Sequence, residues 1–137
     1  MILVIRIRGV IDIPADVKET LYRLRIRRKY SAVLLEDNED NRKLLQTIRN
    51  YVSFGIIGEE MLEKLIRERG ISKDKKKIDV KKIVEGLKKK KLNELGLKPF
   101  FRLHPPRKGI ESKKHYGVGK GVLGEHKKID ELVGRML

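Results

Sequence analysis

The first 57 residues alternate between two hydrophobic periods, and that alternation restricts the fold more than any other feature of the chain. Residues 2–8, ILVIRIR, end in a period of two, with Leu3, Ile5 and Ile7 on one face and Arg6 and Arg8 on the other. That is the pattern of a half-buried strand. Pro14 stands where a first helical turn accepts it, with Asp16 and Glu19 near the positive end of the helix dipole. Val17, Leu21 and Leu24 follow at spacings of four and three and mark one helical face. Residues 30–36, YSAVLLE, read as a second strand whose continuous apolar centre predicts an interior place in a sheet. Asp37 or Asn38 is positioned to cap a second helix, which carries Leu44, Leu45 and Ile48 as its buried stripe. The segment YVSFGII then returns to alternation through Val52, Phe54 and Ile56. Strand, helix, strand, helix, strand in so short a span predicts an α+β fold, a small three-stranded sheet with both helices on one face.

Beyond Gly58 the periodicity is helical. Met61, Leu62, Leu65 and Ile66 form a stripe that stops at Gly70, where a left-handed cap is expected. The stretch SKDKKK reads as a solvated linker. A further helix is expected from Asp79 to Gly96, with Val80, Ile83, Val84 and Leu87 turned inward and four lysines, Lys88–Lys91, wrapped around it. From Lys98 regular periodicity is lost until a short helix at Asp130–Met136. The expected division is a core at 1–57, a helical extension at 58–97 with its lysine-rich linker, and a basic, irregular arm at 98–137 that closes on that short helix.

Charge follows the same division. Residues 1–60 hold eleven Lys/Arg against nine Asp/Glu, whereas the remainder holds 23 against 10 and so carries most of the formal net charge of +15. Self-repulsion of this size destabilises a compact chain unless a polyanion neutralises it, which points first to nucleic acid and second to an anionic membrane surface. No window approaches eighteen consecutive apolar residues, and the arginines of MILVIRIRG follow its apolar run instead of preceding it. Neither a membrane span nor a secretory signal is expected. The absence of cysteine removes disulfide and thiolate chemistry and suits a cytoplasmic protein.

Candidate chemistries other than binding are poorly supported. Gly119-Lys-Gly121-Val-Leu-Gly124 matches GxGxxG, but a dinucleotide fingerprint needs a preceding strand, a following helix and an acidic residue about twenty positions on. The glycines are better read as letting a basic backbone lie close to a partner. His104, His115 and His126 stand eleven apart among lysines, without cysteine or a tight histidine pair, so solvent- or phosphate-facing rings are expected and no metal. Glu36, Asp37, Glu39 and Asp40 lie where a strand passes into a helix, which favours capping over catalysis. No nucleophile has a supporting neighbourhood. The reading is of a protein that is not an enzyme and has no cofactor or small-molecule substrate.

Two basic clusters ask for a partner. The first is Arg23, Arg25, Arg27, Arg28 and Lys29, at a helix end and the turn after it; arginine's planar fork suits phosphates and base edges. The second is the passage 98–128, with nine Lys/Arg against two glutamates. Its prolines and glycines resist helix formation, and Phe100, Phe101 and Tyr116 could stack on bases or pack on the core. The candidate RNA-contact residues are Arg25, Arg27, Arg28 and Lys29 in the turn. In the arm they are Arg102, His104, Arg107, Lys108, Lys113, Lys114, His115, Lys120 and His126. The arm is expected to take its shape from RNA, with FFRLH anchoring it to the core. A peripheral membrane protein using the lysine-rich helix is the rival reading, ranked below because that helix lacks bulky aromatic insertion residues. An RNA-modification accessory protein stands third.

The chain resembles the universal large-subunit ribosomal protein family numbered thirty in bacteria and archaea and seven in eukaryotes. Leu24-Arg25-Ile26-Arg27-Arg28-Lys29, the strand Tyr30–Leu35 and Glu36-Asp37 are similar to the family's basic turn, strand and acidic cap. Arg102-Leu103-His104-Pro105-Pro106-Arg107 and Gly121-Val-Leu-Gly124-Glu-His126 resemble the extension of archaeal members. Lys108 and Lys120 depart from that pattern by replacing glycines, and both add positive charge. The resemblance implies a non-catalytic component of the large ribosomal subunit, with large-subunit ribosomal RNA and neighbouring ribosomal proteins as partners. It also implies a sheet whose first strand lies between the other two.

Overall fold

The strand-forming N-terminal segment becomes β1 (Ile2–Arg6), and every residue in it is buried. A computed structural model describes residues 1–8, 13–70, 80–87, 100–107, 112–115 and 121–137. In chain order it contains β1, α1 (Ala15–Arg23), β2 (Ser31–Leu35), α2 (Glu39–Ile48), β3 (Val52–Ile56), α3 (Glu59–Arg69), α4 (Val80–Gly86), β4 (Phe101–Arg102), β5 (Ser112–His115), β6 (Gly121–Glu125) and α5 (Ile129–Met136). The expected strand–helix–strand–helix–strand order is present, and β1 lies between β2 and β3 as the resemblance implied. Both pairings are antiparallel, with Val4 opposite Val33 on one side and Phe54 on the other.

The sheet is wider than three strands. Its order is β4-β2-β1-β3-β6-β5. β4 joins the outer edge of β2 antiparallel, pairing Arg102 with Ser31 and Phe101 with Ala32. β6 runs parallel to β3, pairing Gly124 with Ser53, and β5 runs parallel to β6. The expectation of an arm without regular structure is therefore corrected at these three strands. They are too short, and too rich in glycine and lysine, to announce themselves by periodicity.

Helices cover both faces. α1 and α2 share one, where Val17, Leu21, Leu45 and Ile48 pack on Ile2, Val4, Val33 and Phe54. This is the expected placement of the first two helices. On the other face Leu3, Ile5 and Ile7 pack with Leu65 and Ile66 of α3, Ile83 of α4, and Leu132, Val133 and Met136 of α5. β1 is thus buried on both sides, which corrects the half-buried reading; a strand covered twice reads as a continuous apolar run. The consecutive Phe100 and Phe101 point to opposite faces, as strand geometry requires, and each packs against a different apolar cluster. FFRLH anchors to the core in that sense.

Local details follow ordinary capping chemistry. Asn38, not Asp37, caps α2, its side chain accepting a hydrogen bond from the Asn41 backbone N–H at 2.8 Å. Asp37 instead takes a two-pronged contact from Arg42, at 2.6 and 3.0 Å, which holds its carboxyl below the usual range. The left-handed cap expected at Gly70 is corrected, since its φ is −62° and its N–H donates to the Ile66 carbonyl as a last helical bond. Of the helix expected from Asp79 to Gly96, only Val80–Gly86 is described as helix, α4; the linker, Asp79 and residues 88–96 lie outside the described residues.

The C-terminal segment is locked to the centre of the sheet. The His126 N–H donates to the Phe54 carbonyl at 2.7 Å. Gly58, at the head of α3, donates its N–H to the Asp130 carboxylate at 3.1 Å across 72 residues. Gly55 leaves no room for a side chain, because a Cβ there would press into the His126 carbonyl and against Ile129. Gly124 has a φ of 80°, a conformation open to glycine and costly to most others.

Candidate nucleic-acid interface

The turn between α1 and β2 is built to present arginines. α1 ends with two crossed backbone bonds, Arg25 N–H to the Tyr22 carbonyl and Ile26 N–H to the Leu21 carbonyl. This paired arrangement places the residue after the cap in a left-handed conformation, usually as glycine. Here it is Arg25, at a φ of 64°. Tyr30, at 66°, bends the chain again at the other end of the turn. Ile26 is buried between them, while Arg25, Arg27, Arg28 and Lys29 are exposed.

Arg6 holds this turn from beneath. The period-two reading put it on the solvent side, but it is only 2% exposed. Its Nη1 donates to the Ile26 carbonyl at 3.0 Å and to the Arg27 carbonyl at 2.7 Å, and its Nε donates to the Arg8 carbonyl at 3.0 Å. Burial lowers its pKa from the ordinary arginine value. The turn's carbonyls are thus drawn inward onto a buried cation, leaving its side chains to point away. Sequence reasoning missed this role because an arginine opposite three apolar residues on a strand looks solvated.

The structure brings together two segments that the sequence keeps far apart. Arg25, Arg27 and Arg28 from the turn, Ser31 from β2, Phe100 just before β4 and Arg102 within it line one cleft of about 290 Å³. Among the described residues, four that bear guanidinium groups and no carboxylate line it. The Arg102 guanidinium stands 5.6 Å over the centre of the Phe100 ring. Beside the cleft, Arg27 stands 5.2 Å and Lys18 5.8 Å from the Tyr22 ring centre, and Lys29 lies over Tyr30 at 5.1 Å. Arg23 of the first cluster is engaged elsewhere, in an exposed ion pair with Glu19.

Of the other candidate contact residues, His104, Arg107 and His126 lie apart from the cleft lining. His104 and Arg107 are exposed, but their backbone N–H groups donate to the Met136 and Arg135 carbonyls at 2.9 Å, fastening this stretch to α5. Lys113, Lys114 and His115 fall in β5, while Lys108 and Lys120 lie outside the described residues. His126 requires a correction, because its ring is not solvent-facing. It is 8% exposed, its Nδ1 accepts the Lys128 backbone N–H at 3.1 Å, and burial lowers its pKa. The glycine run also resolves. Gly121–Gly124 lie within β6 itself, not in a strand-to-helix turn, so they do not form a dinucleotide cradle.

Among the described residues no group of three His, Cys, Asp or Glu could hold a metal ion, and no helix is long and apolar enough to cross a membrane. Converging guanidinium groups beside an aromatic ring are chemically suited to a polyanion.

The family profile of ribosomal protein L30p/L7e matches residues 2–52, which span β1 through the start of β3. The chain is 41% identical to the large ribosomal subunit protein uL30 of Aeropyrum pernix, over 98% of this chain and 97% of the relative. It is 39% identical to that of Archaeoglobus fulgidus, over 99% of each, and 36% identical to that of Methanobrevibacter smithii, over the whole of both.

Proposed function

Because the chain belongs to the large ribosomal subunit protein uL30 family, we propose that it serves as a structural, non-catalytic part of the large subunit, gripping large-subunit ribosomal RNA through the arginine cleft. Neighbouring ribosomal proteins are its other partners, and it acts on ribosomes in the cytoplasm. The observation that carries the reading is convergence. Residues from the α1–β2 turn and from β4 meet on a surface where four guanidinium groups face one cleft. Such an arrangement is self-repelling until phosphates enter it.

Phosphate contacts release counterions, so binding to ribosomal RNA fragments weakens with salt along a log–log slope of magnitude about 5 or more. Changing Arg27 and Arg28 together to Ala lowers that magnitude by about 2. Their exposed side chains contribute little to packing, so the melting temperature hardly changes. A double variant that melts much earlier yet binds normally once folded would make these arginines structural and overturn the assignment.

A further inference from the structure

The cleft is more than a charged surface, because one of its walls is flat. Phosphate binding alone would need cations on a convex turn, and Arg25, Arg27, Arg28 and Lys29 already supply those. The segment entering β4 adds Phe100, half-buried against the α1–α2 face, and β4 adds Arg102, whose guanidinium lies over that ring. Both planar groups line the same concavity as the turn arginines. Duplex RNA presents phosphates and 2′-hydroxyls to a protein, and its paired bases are not available for stacking. A concavity with an aromatic–guanidinium wall and cations around its mouth instead matches a single base turned out of its helix, with phosphates on either side.

We infer that the cleft receives one unpaired nucleotide of the RNA, its base lying against the Phe100–Arg102 pair and its flanking phosphates held by Arg25, Arg27 and Arg28. The inference rests on the RNA-binding reading above and narrows it to a bulged or looped-out site. Ser31, a neutral polar residue of the lining, is placed to meet a base edge or a sugar hydroxyl.

The test uses the full chain and two short RNA duplexes of the same sequence, one fully paired and one carrying a single bulged 2-aminopurine nucleotide. The bulged duplex binds about tenfold more tightly, the equivalent of one base stack, and its 2-aminopurine emission changes on binding. Arg102→Lys keeps the charge and removes the plane; it loses the preference while retaining the salt slope. Phe100→Ala, checked by thermal melting for an intact fold, abolishes the emission change. Equal affinity for the two duplexes with a steep salt slope would overturn the bulge inference and leave RNA binding standing. Absence of binding to either duplex at low salt would overturn both.

Discussion

Replacing Arg25 with glycine separates stability from binding in a single change. Arg25 occupies a left-handed backbone position at a φ of 64°, fixed by the paired bonds that end α1. That conformation costs an L-residue about 1–2 kcal/mol. Glycine adopts it freely but loses about 0.5–1 kcal/mol more backbone entropy on folding. The difference leaves Arg25→Gly more stable by about 0.5–1 kcal/mol, or about 2–4 °C in melting temperature for a domain of this size. The same change removes one guanidinium from the cleft. Affinity for ribosomal RNA fragments then falls about tenfold, as for loss of one charge-assisted contact, and the salt slope loses about 0.9 in magnitude. Arg25→Ala is the control, losing the same contact while keeping a Cβ in the left-handed position, so its melting temperature does not rise. Thermal melts and salt-titrated binding of all three proteins give the comparison. A glycine variant that melts below the parent, or binds RNA as tightly, would refute the idea that this residue is kept for its side chain at the expense of the fold.

Gly55→Ala forces a methyl group into the His126 carbonyl and Ile129; urea unfolding should show a loss of about 1–3 kcal/mol, with hydrogen exchange accelerating across β6 and α5. His126 supplies a pH signature. Burial lowers its folded pKa, so the unfolded chain binds a proton near pH 6.5 that the folded protein refuses, and stability falls as pH drops through about 6.5 toward the folded value. Between about pH 7.5 and 5.5 the melting temperature of the parent should therefore decline more steeply than that of His126→Gln.

The fold was legible wherever a segment carried enough apolar residues to show its period. The three core strands, the helices over Val17, Leu45 and Leu65, and the terminal helix were marked by side-chain spacing. The alternation expected through Val52, Phe54 and Ile56 is corrected, since residues 52–55 are all buried and Ile56 is 61% exposed. What escaped was decided by contacts distant in sequence. β4 is two residues long, and nothing in Phe101-Arg102 alone says that it pairs with Ser31 and Ala32. β6 contains two glycines, and its place beside β3 depends on Gly55 allowing close approach. The proposed site was legible by half. Arginines outnumbering lysines in one turn marked Arg25, Arg27 and Arg28, but their union with Arg102 and Phe100 needed the sheet. Arg6 was hidden because a buried arginine satisfied by backbone carbonyls leaves the same sequence trace as a solvated one. His126 misled for the converse reason, a polar residue in a basic passage being turned inward by a backbone donor two residues away.

The two faces of the sheet differ in when they can form. The face under α1 and α2 draws chiefly on residues within the first 57, so its contacts close over moderate loops. The opposite face depends on Gly58 reaching Asp130, 72 residues downstream, and on β6 finding β3 in parallel. Contacts of such long sequence separation are slow to make, because the chain entropy of closing the loop is lost before the contacts compensate. The parts of this face supplied by α5 and β6 are therefore expected to close after α3, whose Leu65 and Ile66 already cover Leu3, Ile5 and Ile7. The α1–β2 turn and its Arg6 support belong to the early face. Under the proposed function, Arg25, Arg27 and Arg28 are in place for RNA before the late face closes, whereas Arg102 joins them only once β4 has paired with β2.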